Sequence, residues 1–387
     1  MPGSSSRMWL VLGGAGLAAL IVAGVNVASD EPKVEVSAGG GARSAPMPPQ
    51  GGRVAWAEAG DVWLYQPSME EPRRLTGDGD AWYDHQPRFH GPDRVTFLAH
   101  AEAADPSTPG TTMLREVDLT TGRVRDLRRL GGGSFAFDWS PDGWSLALYS
   151  RGGDGTPGEL RFTTDGRPAA TRSFGPVWGR GGFVNYDELR VEWAPDGKHL
   201  IVIDTGLDTS QDETLYVLNP DGSDAMAPRG GTWARWGVDG RTVYCSCAAH
   251  PGDQEWSWQA VDIRTGTGAP LIVKRGMRPS VSPDGSFLAF DDGEDTPSVH
   301  VLDLRTPGSL PRRVVGAAMA PRWLGPDRLV VTDTRSCPDD PETCEAGGHG
   351  SMFHPAGTVA VLDVASGERR QVVAGSTEDA DAAPPAP

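Results

Sequence analysis

Short apolar runs broken by polar residues recur along most of this chain. Arg94-Val-Thr-Phe-Leu and His199-Leu-Ile-Val-Ile are two of them, and such runs predict short, half-buried β-strands. Each follows a tight turn built on Asp, usually with Pro or Gly. These turns are Pro92-Asp93, Pro141-Asp142-Gly143, Pro195-Asp196-Gly197, Val238-Asp239-Gly240, Pro283-Asp284-Gly285 and Pro326-Asp327. Pro presets φ at the second turn position, and Asp and Gly close the turn. Apolar residues stand just before most of them: Phe89, Trp139, Trp193, Trp236, Val281 and Trp323.

A second marker follows at intervals. Val117-Asp118-Leu119 leads to Gly122, Val261-Asp262-Ile263 to Gly266, Leu302-Asp303-Leu304 to Gly308 and Leu362-Asp363-Val364 to Gly367. Each reads as a strand that ends in a hairpin turn. One unit is therefore strand, tight turn, strand, loop, strand, turn, strand, in roughly 45 residues, which is the size of a β-propeller blade. The fold class is all-β, a propeller of four-stranded antiparallel blades over residues 53–374. Six turn markers suggest six blades. An extra strand set at Arg53–Ala57, Asp61–Tyr65 and Arg73–Leu75 favours seven, with the first blade short of a strand or borrowing Val34 to Ser37.

Gly 51 and Pro 33 of 387 residues suit turns and exclude a helical bundle. The net charge of −17 disfavours a nucleic-acid partner. The uncharged run Trp9–Ala28 is long enough to span a bilayer as a helix. Arg7 before it, and Asp30 and Glu31 after it, orient the rest of the chain outside the cytoplasm. The expected organisation is a signal anchor over 1–28, a linker over 29–52, the propeller, and a disordered tail over 375–387. Cleavage near Val27-Ala28-Ser29, giving a secreted protein, is the alternative.

The segments Trp139-Ser-Pro-Asp-Gly, Trp193-Ala-Pro-Asp-Gly and Val281-Ser-Pro-Asp-Gly resemble the repeats of the TolB-like β-propeller family, as does Asp61-Val-Trp-Leu-Tyr with Arg73-Arg-Leu-Thr. The resemblance covers nearly all of 53–374. It implies an extracytoplasmic propeller that binds other envelope proteins. The chain has no room for the N-terminal α/β domain of TolB itself, so a TolB role does not carry over.

Catalytic motifs are absent from the sequence: it contains no Gly-x-Ser-x-Gly, and Gly197-Lys198 is followed by His199 where a P-loop needs Ser or Thr. The repeated Ser-Pro-Asp-Gly reads as turn chemistry. Cys337 and Cys344 flank a short acidic loop and are expected to form a local disulfide. With His349 and His354 they also match the ligand types of a zinc site, but not a standard spacing. Cys245 and Cys247 share one strand face, and their pairing state is left open. Acidic loops at Asp204, Asp208, Asp212 and at Asp291, Asp292, Glu294, Asp295 read as solvated loops before calcium sites. No cofactor or metal is expected.

The loops opposite the tight turns are long. They carry Trp82, Tyr83, His85, Trp178, Tyr186, His250 and Trp256, and aromatic residues on loops serve as binding anchors. This face is the expected docking surface for a cell-envelope protein or glycan, in a non-catalytic platform. Two alternatives stay open. One is an enzyme at the channel mouth, drawing on Asp84, His85, Asp187 and His250. The other is a ligand- or metal-sensing domain.

Overall fold

The computed structural model describes residues 52–58, 60–66, 68–77, 82–101, 110–151, 157–176, 189–204, 214–248, 256–271, 273, 276–294, 296–334, 358–374 and 381–383. Every ladder among them is antiparallel. The first contains β1 (Arg53–Glu58), β2 (Asp61–Tyr65) and β3 (Arg73–Arg74). The second is β4 (Tyr83–Phe89), β5 (Arg94–Ala101), β6 (Thr111–Asp118) and β7 (Val124–Gly131). The third is β8 (Phe135–Trp139), β9 (Ser145–Ser150), β10 (Pro157–Thr164) and β11 (Arg167–Pro176).

Next come β12 (Leu189–Trp193), β13 (Leu200–Asp204), β14 (Thr214–Leu218), β15 (Asp224–Trp236), β16 (Thr242–Ala248), β17 (Trp256–Asp262) and β18 (Thr267–Pro270), joined as one seven-stranded sheet. The 13-residue β15 explains the fusion. Its first half pairs with β14 and its second half with β16, so two four-stranded ladders share one long strand. The last two ladders are β19 (Met277–Val281) to β20 (Phe287–Asp291), β21 (Ser298–Asp303) and β22 (Arg312–Gly316), then β23 (Ala318–Trp323) to β24 (Arg328–Asp333), β25 (Thr358–Asp363) and β26 (Arg369–Ala374).

One more strand, β27 (Asp381–Ala383), completes the first ladder in the order β27-β1-β2-β3. Arg53 pairs with Ala383, Val54 with Ala382 and Ala55 with Asp381. This corrects the sequence reading at two points. The strand missing from the first ladder comes from the far end of the sequence, and residues expected to form a disordered tail include a paired strand. The proposed donor, Val34 to Ser37, lies outside the described residues, as does the candidate anchor Trp9–Ala28. No helix among the described residues is long and apolar enough to cross a membrane.

The markers behave as local chemistry requires. Ser140 Oγ donates to Asp142 at 2.5 Å and accepts the Ser145 N–H at 2.9 Å, while the Gly143 N–H closes the turn onto the Ser140 carbonyl. Ser282 and Asp284 repeat the arrangement. Gly143 stands at φ 73°, a left-handed conformation that only glycine adopts without cost. At the second marker Asp118 accepts the N–H groups of Thr120 and Thr121, and Asp363 those of Ala365 and Ser366.

Apolar side chains fill the spaces between ladders. Ala55 and Val62 pack with Val95, Phe97 and Val117 of the next ladder. Leu98 and Leu114 pack in turn with Phe135, Phe137 and Leu148. Val54, Trp56 and Tyr65 of the first ladder pack with Leu324, Val330 and Val359 of the last, which closes the series on itself. Burial of this kind on both faces of each ladder is the main stabilising term.

Candidate functional site

The innermost strands β4, β8, β12, β19, β23 and the second half of β15 run toward the tight turns. The residue just before each turn-proximal aromatic or apolar position is polar: Arg88, Asp138, Glu192, Arg235, Ser280 and Arg322. In β4, β15, β19 and β23 a bulge precedes this position. Gln86, Trp233, Arg278 and Ala320 there all have φ of 49–50°, and the register shifts beside each of them. A bulge re-aims the residue that follows it.

Four of these residues, Asp138, Glu192, Arg235 and Ser280, bond to a neighbouring ladder, whereas Arg88 and Arg322 donate to the carbonyls of Pro87 and Pro321 in their own strands. Asp138 Oδ2 accepts the Trp193 N–H at 2.8 Å, and Glu192 Oε1 the Trp236 N–H at 3.4 Å. Ser280 Oγ accepts the Trp323 N–H at 3.3 Å. Asp381 of β27 takes the same part toward the Phe89 N–H at 2.9 Å. Three of the aromatic partners answer: the indoles of Trp193, Trp236 and Trp323 donate to the carbonyls of Asp138, Glu192 and Ser280 at 3.2, 3.1 and 2.9 Å. Where the position is Arg235, the guanidinium donates forward to the Pro279 carbonyl at 2.9 Å and back to Glu192 at 2.7 Å.

Burial sets the electrostatics of this circuit. It pushes the Asp138 carboxyl up to about 7, against the pull of Arg88 and the Trp193 N–H, with Asp381 and Glu192 adding to the rise. Burial also raises Glu192, although Arg190 opposes it, and lowers Arg190. Arg190 donates to Glu192 at 3.1 Å. Chemically the arrangement is a paired network of guanidinium and carboxyl groups, in which burial favours the protonated form of Asp138.

The expected loop residues divide. Among those whose side chains are described, Tyr83 is exposed, at 48%. It opens β4 and is not part of a loop. Trp82 just before it is half-buried, with the Arg115 guanidinium over its ring at 4.4 Å and Asp126 bound to the same Arg at 2.8 Å. His85 is a correction: it lies within β4, buried at 3% exposure, and burial with the nearby His100 lowers its pKa to about 3. A neutral, enclosed imidazole offers no docking surface. Asp84 is buried beside it, its N–H bonded to the Gly60 carbonyl at 2.9 Å. Trp256 opens β17. Trp178, Tyr186, Asp187 and His250 lie outside the described residues, as do Cys337, Cys344, His349 and His354.

The acidic cluster near residue 291 is occupied by protein groups. Asp291 binds Arg278 at 3.1 Å and the Ala320 N–H at 3.0 Å. Asp292 accepts the Ser298 N–H at 2.9 Å and faces His300 at 3.2 Å. Among the described residues no group of three or more His, Cys, Asp or Glu is placed to hold a metal. The sulfurs of Cys245 and Cys247 stand at disulfide distance, with Cα atoms 5.4 Å apart, and both residues are fully buried in β16.

Sequence reasoning did not single out the inter-ladder circuit. Its signal was present, as a charged or hydroxyl residue beside the aromatic or apolar residue that precedes each tight turn, where a wholly buried strand would be apolar.

No protein-family model matches the chain, and no curated protein sequence is significantly similar to it. Solved structures are similar in fold. The tricorn protease matches with a TM-score of 0.51 at 11% identity, over 86% of this chain and 35% of that one. Puromycin hydrolase, solved as the S511A mutant complexed with PGG, matches with a TM-score of 0.51 at 16% identity, over 87% of this chain and 54% of that one. TolB from Acinetobacter baumannii matches with a TM-score of 0.42 at 15% identity, over 71% of this chain and 67% of that one. The repeated four-stranded antiparallel ladders and the likenesses to the tricorn protease and puromycin hydrolase together identify the fold as a β-propeller.

Proposed function

We propose that this chain is a seven-bladed propeller, tethered to the membrane by Trp9–Ala28 and exposed outside the cytoplasm. It serves as a non-catalytic platform for a cell-envelope protein or glycan. Counting the shared-strand sheet as two blades gives seven. The observation that carries the platform reading is the use made of the inner-strand charges. Asp138, Glu192, Arg235 and Asp381 each hold one ladder against another, so these four inner-strand groups serve cohesion. Binding is then left to the face opposite the tight turns, where Tyr83 is exposed and where Trp178, Tyr186, His250 and Trp256 belong by sequence. His85 is withdrawn from that surface.

A second reading, an enzyme with its site in the channel, is favoured by the placement of Asp138 on an inner strand, where burial pushes its carboxyl up to about 7, the range in which a general acid or base operates. In-cell crosslinking of the tagged full chain, with mass spectrometry of the linked peptides, separates the two. Links from one envelope component clustered around Tyr83, Trp178 and Trp256 support the platform. A well-expressed chain with no specific links removes it and directs work to substrate screening.

A further inference from the structure

The first ladder differs from the others in how its innermost strand arrives. In the second ladder, β4 leads into β5 through the tight turn at Pro92-Asp93, and the covalent chain holds the pair together. In the first, β27 meets β1 with no short connection, and only three residue pairs join them. The other complete innermost strands run five to seven residues. The specific element is the Asp381 carboxylate, which accepts the Phe89 N–H of the next ladder at 2.9 Å. Arg53, the register partner of Ala383, lies over the Phe89 ring at 4.8 Å, so strand, acceptor site and donor residue form one unit.

A short edge strand held by few pairs opens at low free energy compared with a central one. When it leaves, β1 presents a row of unpaired backbone groups next to a backbone N–H aimed at a carboxylate. That is the geometry by which an extended peptide adds to a sheet, with main-chain bonds for affinity and side-chain positions for specificity. The resident segment shows what the slot accepts: an extended backbone with an acidic residue facing the Phe89 N–H.

We infer that the innermost position of the first ladder is an exchangeable peptide site. Residues 381–383 occupy it in cis, and an extended partner segment with an Asp at the position of Asp381 can occupy it in trans. The inference does not depend on the platform reading, because it concerns the joint between the first and last strands of the propeller and not the long-loop face.

The test uses the full chain with a protease site placed within residues 375–379, so that the protein folds intact and is cut afterwards. The probe is a fluorescent peptide of residues 378–387, followed by anisotropy. Cut protein is expected to take up the probe, uncut protein to bind it at least ~10-fold more weakly, and a probe carrying Asp381→Ala to lose about 10-fold or more in affinity for the cut protein. If cutting unfolds the protein, excess peptide should restore the folded signal. Three results would overturn the inference: cut, folded protein that does not take up the probe; equal binding of the Asp381→Ala probe; or unfolded cut protein that the peptide fails to rescue. Uptake that appears only as dimers joined through residues 381–383 would replace the partner with a second copy of the chain.

Discussion

The Asp138 carboxylate accepts the backbone N–H of Trp193 at 2.8 Å, and the Trp193 indole returns a hydrogen bond to the Asp138 carbonyl at 3.2 Å. The two residues belong to neighbouring ladders, 55 positions apart in the chain. This reciprocal pair recurs at Glu192 with Trp236 and at Ser280 with Trp323. Its members satisfy groups that would otherwise be buried without partners, so each contributes more through the penalty it prevents than through its own attraction.

The Asp138 pair makes stability depend on pH. The folded-state value, about 7, lies above the ordinary carboxylate value of 3.8. Between these values the folded protein holds a proton that the unfolded chain has released, so stability falls as the pH rises across the window and levels off above it. Asp138→Asn keeps an oxygen for the Trp193 N–H and cannot ionise. It should be more stable than the parent at about pH 8, by an amount on the order of a few kcal/mol, and similar to it near about pH 4. Urea melts of both proteins across this range check the expectation; parallel pH profiles would contradict it.

Ser280→Ala removes the acceptor for the Trp323 N–H and leaves the indole bond to the Ser280 carbonyl in place. A loss of about 1 kcal/mol is expected, with no change in fold. Trp323→Phe removes the returning bond instead and should cost more, because the ring is buried at 3% exposure and packs against Leu329 and Val331. Denaturant midpoints of the two variants test the order.

Gly231 faces Cys247 across the β15–β16 pair, and a Cβ at Gly231 would collide with the Cys247 Cβ. Gly231→Ala should therefore destabilise the protein by roughly 1–3 kcal/mol. Peptide mapping without reductant should recover Cys245 and Cys247 within one peptide, lighter by two hydrogens than its reduced form. We propose that the same map joins Cys337 to Cys344; free thiols at both would remove that pairing.

The proposed anchor predicts that the intact mass of the membrane-associated protein retains the residues before Trp9. A mature chain beginning near Asp30 would instead make it a secreted protein and overturn the tether.

Much of the architecture was legible because it rests on short-range chemistry. Pro141-Asp142-Gly143 forms its turn through bonds among Ser140, Asp142 and Ser145, all within a few positions of one another. Val117-Asp118-Leu119 with Gly122 forms its hairpin turn in the same local way. The candidate site was less legible. His85 reads as a loop residue by its neighbours Trp82 and Tyr83, yet β4 carries it inside, because its strand is the innermost of its ladder. The tail composition Asp-Ala-Ala gives no strand signal of its own; β27 exists because β1 presents an edge to it.

The sequence by itself determined the all-β class, the length of the repeat and the positions of the six Asp turns that mark it, since residues a few positions apart decide φ, strand period and turn closure. Tertiary structure alone decided which carboxyl meets which backbone N–H across ladders, which histidine is enclosed, and how the first ladder is completed. The bond from Asp381 to Phe89 spans 292 positions. No local pattern encodes it, because the chain must close upon itself before the two residues are neighbours.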